Sequence, residues 1–269
     1  MLGLGNVMAA EAKRKITELV NPATLGSLPI WFQADQFVNS TNLNNKGTTF
    51  TFNPSGPVEN ADVFSGGKTA KGVSFDDSND TFDLSAAQVI SDAEGLTIFY
   101  VMNQTAIANT DMIFAGDSDS RNQIHHYNKR NIQVRFNSDG GTSNAGVTLN
   151  TYSTTTDDSG VTAYDFTDGD EIVVLRKAKT SQKLTIFNRK KQLIYSKSSN
   201  GEDATASPAT YTGSSNTGIR VTRLGIKSGG GSPAGGVYGD MGIYDEALSD
   251  TKIEALIDFL AAKFGISQS

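Results

Sequence analysis

Apolar residues alternate with polar ones, or gather in short runs, along most of the chain after residue 28. A period of two is typical of a half-buried β-strand, and a short apolar run fits a strand buried on both faces. Clusters of Gly, Asn, Asp and Ser separate the runs, as turns require. The pattern predicts an all-β sandwich or barrel without helices between its strands. The predicted strands are Ile30–Ala34, Thr48–Phe52, Gly72–Phe75, Leu96–Asn103, Met112–Ala115, Gln123–Tyr127, Ile132–Phe136, Gly146–Asn150, Glu171–Lys177, Lys183–Asn188, Gln192–Ser196, Arg220–Ile226 and Gly236–Tyr244.

One of these runs, Leu96–Met102, is apolar at nearly every position. A strand with one solvent-facing side would alternate, so this run is predicted to be central in its sheet, with both faces covered.

The first 28 residues follow a helical rather than a strand pattern. Met8, Ala12, Ile16 and Leu19 are spaced three or four apart and form one apolar stripe. Asn21-Pro22 then ends the predicted helix. A helix this short is marginal alone, so we expect it to pack on its own sandwich or on a partner chain. The sequence thus predicts an arm over 1–28 and a sandwich over 29–269.

The end of the chain predicts a second, well-capped helix. Ser249 is placed as its N-cap, and Gly265 follows it in the position that favours a left-handed residue. Leu248 and Ile253 have the spacing of a hydrophobic staple. The apolar stripe of this helix is Ile253, Leu256, Ile257, Leu260 and Phe264.

Composition removes several function classes. There is no cysteine, so disulfides, thiol nucleophiles and cysteine-ligated metals are excluded. The net charge is −6, and the longest basic cluster, Arg189–Lys191, lies in a predicted turn, which argues against nucleic-acid binding. His125 and His126 are neighbours in a predicted strand, where side chains point to opposite faces, so they cannot jointly hold a metal. No secretion signal or membrane span is expected from the sequence.

Several short motifs resemble the laminin-G-like and concanavalin A-like jelly-roll family. They span residues 29 to 266 and occur in the order that the family has. The motifs are Leu28–Asp35 with its W-x-x-A-D pattern, Lys71–Asp76, Leu96–Met102, Leu224-Gly225, Gly239–Asp250 with its G-D and Y-x-x-A-L-S-D patterns, and Ala261–Ile266.

The resemblance implies a two-sheet antiparallel jelly-roll sandwich closed by the C-terminal helix. Members that hold calcium do so with loop oxygens, and Asp76–Asp80 and Asp117–Asp119 supply candidates, although neither run matches a defined ligand spacing. No cofactor is therefore expected, and calcium stays open as the alternative. The E-x-D-x-x-E strand of the family's glycanases is absent, and Asp76, Asp77, Asp80 and Asp83 fall around a predicted loop, so we expect no enzyme. Trp31 is predicted in the core rather than as a sugar platform.

Two functional hypotheses remain. Stand-alone family members with a non-secretory arm resemble virion proteins of tailed bacteriophages. This favours an exposed virion decoration or linking subunit, homo-oligomeric and docked on other virion proteins through Met8, Ala12, Ile16 and Leu19. The alternative is a glycan-binding adhesin module, which would use polar loops such as Ser153–Ser159 and Ser198–Asn216.

Overall fold

Two antiparallel sheets stack face to face in the computed structural model of the protein, and a helix lies on the outside of one of them. This arrangement confirms the predicted all-β sandwich with few helices. The structure describes residues 20–39, 50–60, 64, 71–103, 111–116, 122–126, 132–135, 149–150, 169–178, 184–197, 218–226, 230–231 and 233–269.

The eight-stranded sheet contains β1 (Ile30–Phe32), β3 (Val58–Asn60), β4 (Gly72–Asp76), β6 (Leu96–Asn103), β11 (Asp170–Lys177), β12 (Leu184–Phe187), β13 (Leu193–Lys197) and β15 (Gly235–Tyr244). The seven-stranded sheet contains β2 (Phe52–Ser55), β5 (Thr81–Ile90), β7 (Asp111–Ala115), β8 (Gln123–His126), β9 (Ile132–Arg135), β10 (Leu149–Asn150) and β14 (Ile219–Leu224). The strand order of the first sheet is β13-β12-β11-β6-β15-β4-β3, and β1 pairs with β15 beyond the end of β4. The strand order of the second sheet is β10-β9-β8-β7-β14-β5-β2.

Apolar side chains from both sheets form the core between them. Aromatic rings link the two layers directly: Phe32 of the eight-stranded sheet packs on Phe52 and Phe82 of the other, with ring centroids 5.2 and 4.8 Å apart. Phe75 meets Phe82 at 5.9 Å in an edge-to-face geometry. Such pairs add roughly 0.5–1.5 kcal/mol beyond the burial of their area.

Strand β6 lies between β11 and β15, at the centre of its sheet. Leu96, Ile98 and Tyr100 point into the core between the sheets, and Phe99 and Val101 point to the opposite side, where a helix covers them. The prediction of a central strand buried on both faces is confirmed.

The C-terminal helix, α2, runs from Asp250 to Phe264 across the outer side of the eight-stranded sheet. The Ser249 hydroxyl accepts a bond from the Lys252 N–H at its N-terminus, and Gly265 adopts φ 68° at its C-terminus. Every residue of the predicted apolar stripe is buried. The predicted limits, caps and buried face of this helix are confirmed.

Three strands in the first third of the chain differ from expectation. Strand β5 is ten residues long, where the sequence indicated a loop around Asp83; its Ser85-Ala86-Ala87 centre neither alternates nor favours strands. Strand β2 continues past Asn53-Pro54 because it is an edge strand, where proline removes no ladder bond. The three-residue β3 was not predicted.

The segment before β1 packs on the sandwich. The short helix α1 (Pro22–Leu25) begins with Asn21, whose side chain accepts from the Ala23 N–H. Leu25 and Leu28 are buried with α2 in the core on the outer side of the eight-stranded sheet. A 3-10 segment, Ala34–Asn39, follows β1. No helix of the described residues is long and apolar enough to cross a membrane.

Candidate functional site

The motif residues that carry the family resemblance meet in one buried charge cluster. Asp240 on β15 has no exposed surface, and both of its carboxylate oxygens accept bonds from Lys263 Nζ, at 2.8 and 2.9 Å. Trp31 Nε1 and the Ala34 N–H also donate to Asp240, at 3.3 and 3.2 Å. Lys263 Nζ reaches Asp35 as well, at 2.8 Å. The cluster joins β1, β15 and α2. Its charged groups are paired with other groups of the protein, so it stabilises the fold and is not a ligand site.

Burial and pairing act against each other on this cluster. Burial raises the pKa of Asp240, and the Lys263 ammonium only partly offsets that effect. Burial alone would lower the pKa of Lys263, but the Asp240 and Asp35 carboxylates together outweigh it and hold that pKa above its ordinary value. Trp31 is 4% exposed, and its ring meets Phe259 edge-on. Its predicted place in the core is confirmed.

The first acidic run, Asp76–Asp80, closes the turn between β4 and β5. Asp76 Oδ1 accepts from the Ser78 N–H at 3.0 Å, and Asp80 Oδ2 accepts from the Asp76 N–H at 2.8 Å. Burial raises the pKa of Asp80, and the Asp76 charge adds to the effect. These carboxylates stabilise a turn, and the described residues contain no group of three or more acidic or histidine side chains that could hold a metal. The second acidic run, Asp117–Asp119, lies outside the described residues.

The basic cluster at Arg189–Lys191 lies in the β12–β13 turn, as predicted. Lys191 Nζ lies 2.6 Å from Asp258 Oδ1 on α2, and Arg189 donates to the Asp170 carbonyl of β11. Two of the three basic side chains thus contact acceptor groups of the same domain.

Other predicted site residues are placed only in part. His125 and His126 are consecutive in β8, as expected, and pair with Gln133 and Ile132 of β9. The predicted docking stripe of Met8, Ala12, Ile16 and Leu19 lies outside the described residues, and so do the loops Ser153–Ser159 and Ser198–Asn216.

The strongest candidate for a binding surface is the side of the seven-stranded sheet that faces away from the core; we call it the outer face. On β14, Ile219, Val221 and Leu224 point into the core. The pairing of β14 with β5 shifts between Val221 and Arg223. This irregularity changes the alternation, so Arg220 and Arg223, three residues apart, lie on the same outer face.

Polar groups of three adjacent strands line up on the outer face. Asn53 of β2 pairs with Asp83 of β5, and Asp83 pairs with Arg223 of β14. Arg223 Nε lies 3.1 Å from Asp83 Oδ1, and the two side chains are 30% and 48% exposed. Directly opposite Arg220, Val89 is 60% exposed. An amide, a carboxylate, two guanidinium groups and an apolar side chain therefore share one solvent-accessible area.

The sequence pattern missed this surface for a physical reason. Arg220 and Arg223 are an odd number of residues apart, which in a regular strand places side chains on opposite faces. Only the irregular pairing with β5 brings them together. The Ser85-Ala86-Ala87 segment, opposite the shift, is the weak signal that the sequence contains.

Comparisons with known proteins give a likeness of fold. No protein-family model and no curated protein sequence matches the chain. Among solved structures, the binding domain of Paraclostridial Mosquitocidal Protein 1 is similar, with a TM-score of 0.54, 14% identity, and coverage of 86% of this chain and 52% of that one. The botulinum neurotoxin serotype G binding domain is similar with a TM-score of 0.52 and 11% identity, and the match covers 87% of this chain and 51% of that one. The chain spans about half the length of these two structures.

A third similar structure matches over nearly its whole length. It is domain 4 of AbnA, an extracellular arabinanase from Geobacillus stearothermophilus, in complex with arabinotriose, with a TM-score of 0.50 and 14% identity. The match covers 86% of this chain and 98% of that one. At this identity the likeness establishes the β-sandwich fold alone.

Proposed function

We propose that this domain binds a glycan and does not cleave it. The observation that carries the proposal is the outer face, where Asn53, Asp83 and Arg223 lie side by side on adjacent strands and Arg220 is paired with the exposed Val89 three residues away along β14. Sugars present hydroxyl donors and acceptors around apolar C–H surfaces. Carboxylate, amide and guanidinium groups match the hydroxyls, and an exposed aliphatic side chain matches the C–H surface.

Among the residues that the structure describes, the outer face lacks the pair of carboxyl groups that cleavage requires. Glycoside hydrolysis uses two carboxyl groups on either side of the scissile bond. Asp83 is the only carboxylate among the outer-face side chains that the structure describes, and it is paired with Arg223. Two of the buried acids, Asp92 and Asp240, are each paired with a lysine.

The fold comparison supports a binding role without establishing it. Two of the similar structures are binding domains of other proteins, and the arabinanase domain was solved with arabinotriose. We extend this to the present chain as a proposal: a glycan-binding module of a surface adhesin.

The test is glycan-array screening of the full chain, followed by calorimetry on the best saccharide. Asp83→Ala removes a hydroxyl acceptor and the partner of Arg223, so we expect the Kd to rise about tenfold, the loss of one good polar contact. Glu254→Ala, at an exposed position of α2, is the matched control and should bind like the wild type. Absence of binding to any saccharide, or equal binding by both variants, would contradict the proposal.

The virion-subunit hypothesis stays a prediction. It depends on the stripe from Met8 to Leu19, and the three similar structures above have no link to a virion. Its test is deletion of residues 1–19 and measurement of particle association. The deletion must stop there, because Leu25 and Leu28 belong to the packed core and their loss would unfold the domain for another reason. Undiminished association would count against the hypothesis.

A further inference from the structure

We infer that the N-terminal stripe of Met8, Ala12, Ile16 and Leu19 packs along α2 of the same chain, as an additional helix on the outside of the eight-stranded sheet. The inference goes beyond the proposed function, since glycan binding at the outer face neither requires nor excludes it. A stripe that is occupied in this way is unavailable to other virion proteins, so this inference and the virion-subunit hypothesis exclude each other.

Helix α2 has apolar surface beyond its buried face. Ala255, Phe259 and Ala262 are spaced four and three residues apart, so they form one stripe along the helix, which we call the flank. All three are half-buried, and Ala255 and Phe259 pack against the core beneath α2 with part of their surface accessible. The Phe259 ring meets Trp31 edge-on, with centroids 6.5 Å apart, so the flank lies on the β1 side of α2. A ring between two alanines leaves room for another helix to approach closely.

The first 19 residues, which lie outside the described residues, join the molecule beside α2. Helix α1 packs on α2, and the Pro22 carbonyl accepts a bond from the buried Tyr244 hydroxyl, so the start of α1 is fixed. Ala23 packs against the same core as the flank. Leu19 is three residues before Pro22 and is therefore at most about 11 Å from it. The end of the predicted amphipathic helix is thus held next to α2.

The two helices match in length and in what each needs to cover. The twelve residues from Met8 to Leu19 span about 18 Å as a helix, and the 15 residues of α2 span about 22 Å. A helix as short as the first is marginal in water and gains most of its stability by packing an apolar face. The flank offers a partly exposed apolar surface of matching length.

The short connection favours the same chain over a separate partner. It gives the stripe an effective concentration in the millimolar range at α2 of its own chain. A stable interface between separate proteins buries about 1,600 Å², and the four side chains of one stripe supply only a small part of that area. Contact within the chain needs far less buried surface, because the two helices are already joined.

The experiment is paramagnetic relaxation enhancement in the full chain, measured by nitrogen-15 NMR. The chain has no cysteine, so Glu254→Cys attaches a single nitroxide label at an exposed position of α2. We expect this label to remove most of the signal intensity of the Ala12, Ile16 and Leu19 amides, because the enhancement acts only on nearby amides. Val89→Cys, whose label lies on the opposite side of the sandwich, is the matched control and should leave these amides unchanged.

Two substitutions test the stripe itself. Ile16→Asp places a charge in the stripe and should restore the signals in the Glu254→Cys background. Thr17→Asp changes the next residue, which helical spacing places on another side of the helix, and should leave the signal loss as it was. The amide spectrum of the sandwich verifies that each variant is folded.

A mixed sample distinguishes contact within a chain from contact between copies. It contains labelled chains without nitrogen-15 and nitrogen-15 chains without a label, so only contact between copies reduces the signals. We expect no loss in this sample. Unchanged amides in the Glu254→Cys chain, a loss that appears only in the mixed sample, or a loss that persists in Ile16→Asp would each overturn the inference. Saccharide binding is measured separately, so its failure and the failure of this inference are distinguishable.

Discussion

Removal of Lys263 should strongly destabilise the domain, because this side chain is the cation that neutralises the fully buried Asp240. In Lys263→Met, the donors to Asp240 that remain among the described residues are the Trp31 and Ala34 N–H groups, at 3.3 and 3.2 Å. Loss of one partner of a buried ion pair costs about 3–5 kcal/mol, because the other charge remains desolvated. Urea denaturation of the two proteins at about pH 8 measures the difference in free energy of unfolding.

A control and the pH dependence distinguish this mechanism from a general packing defect. Lys252→Met changes a lysine of the same helix whose side chain is 43% exposed and whose Nζ lies 3.9 Å from Glu246, and it should cost about 0–1 kcal/mol. In Lys263→Met, burial acts on Asp240 without a lysine to offset it, so the pKa of Asp240 rises further above 3.8.

When the pKa of an acid is higher in the folded state than in the unfolded state, the folded state binds more protons. The free energy of unfolding of the protein therefore falls as pH rises and increases as pH falls. The difference in free energy of unfolding between Lys263→Met and the wild type should therefore become smaller from about pH 8 to about pH 5. A decrease in the free energy of unfolding of less than about 1 kcal/mol at about pH 8, or a difference between the two proteins that grows at acidic pH, would refute the reasoning.

Three further predictions concern the same layer. Gly239→Ala places a Cβ 2.7 Å from the ring of Phe264, and overpacking of this kind should cost about 1–3 kcal/mol in urea denaturation. Ser249→Ala removes the N-cap acceptor of α2 and should cost about 1 kcal/mol by the same measurement. Because the pKa of Lys263 is raised in the folded state, the stabilisation by its charge is complete below the ordinary pKa of 10.5. This stabilisation is lost as pH rises through the pKa that Lys263 has in the folded protein. Thermal midpoints should accordingly fall more steeply at alkaline pH for the wild type than for Asp240→Asn.

Local signals were enough to predict the C-terminal helix and the central strand. Ser249 and Gly265 cap α2 through bonds and backbone angles that involve only near neighbours. Leu96–Met102 needed only its own apolar run. In both cases the residues that determine the structure are contiguous in the chain.

Features that depend on distant residues were visible only in part. Asp35, Asp240 and Lys263 each fall in a motif of the resemblance, yet their joint pairing connects residues 228 positions apart. The side on which Arg223 lies depends on how β14 pairs with β5, and no local pattern encodes that register. The fold class could therefore be predicted from the sequence, whereas the candidate site could be identified only from the pairing of β14 with β5.

The most direct test of the account is a nitrogen-15 NMR titration of the full chain with arabinotriose and with the saccharide that binds best on the array. Saccharide binding to the outer face predicts shifts concentrated at the amides of Asn53, Asp83 and Val89 and at the side-chain N–H groups of Arg220 and Arg223. The amides of α2, on the other side of the molecule, should remain unchanged. Shifts confined to α2 or to loops away from β2, β5 and β14, or no shift with either saccharide, would contradict it.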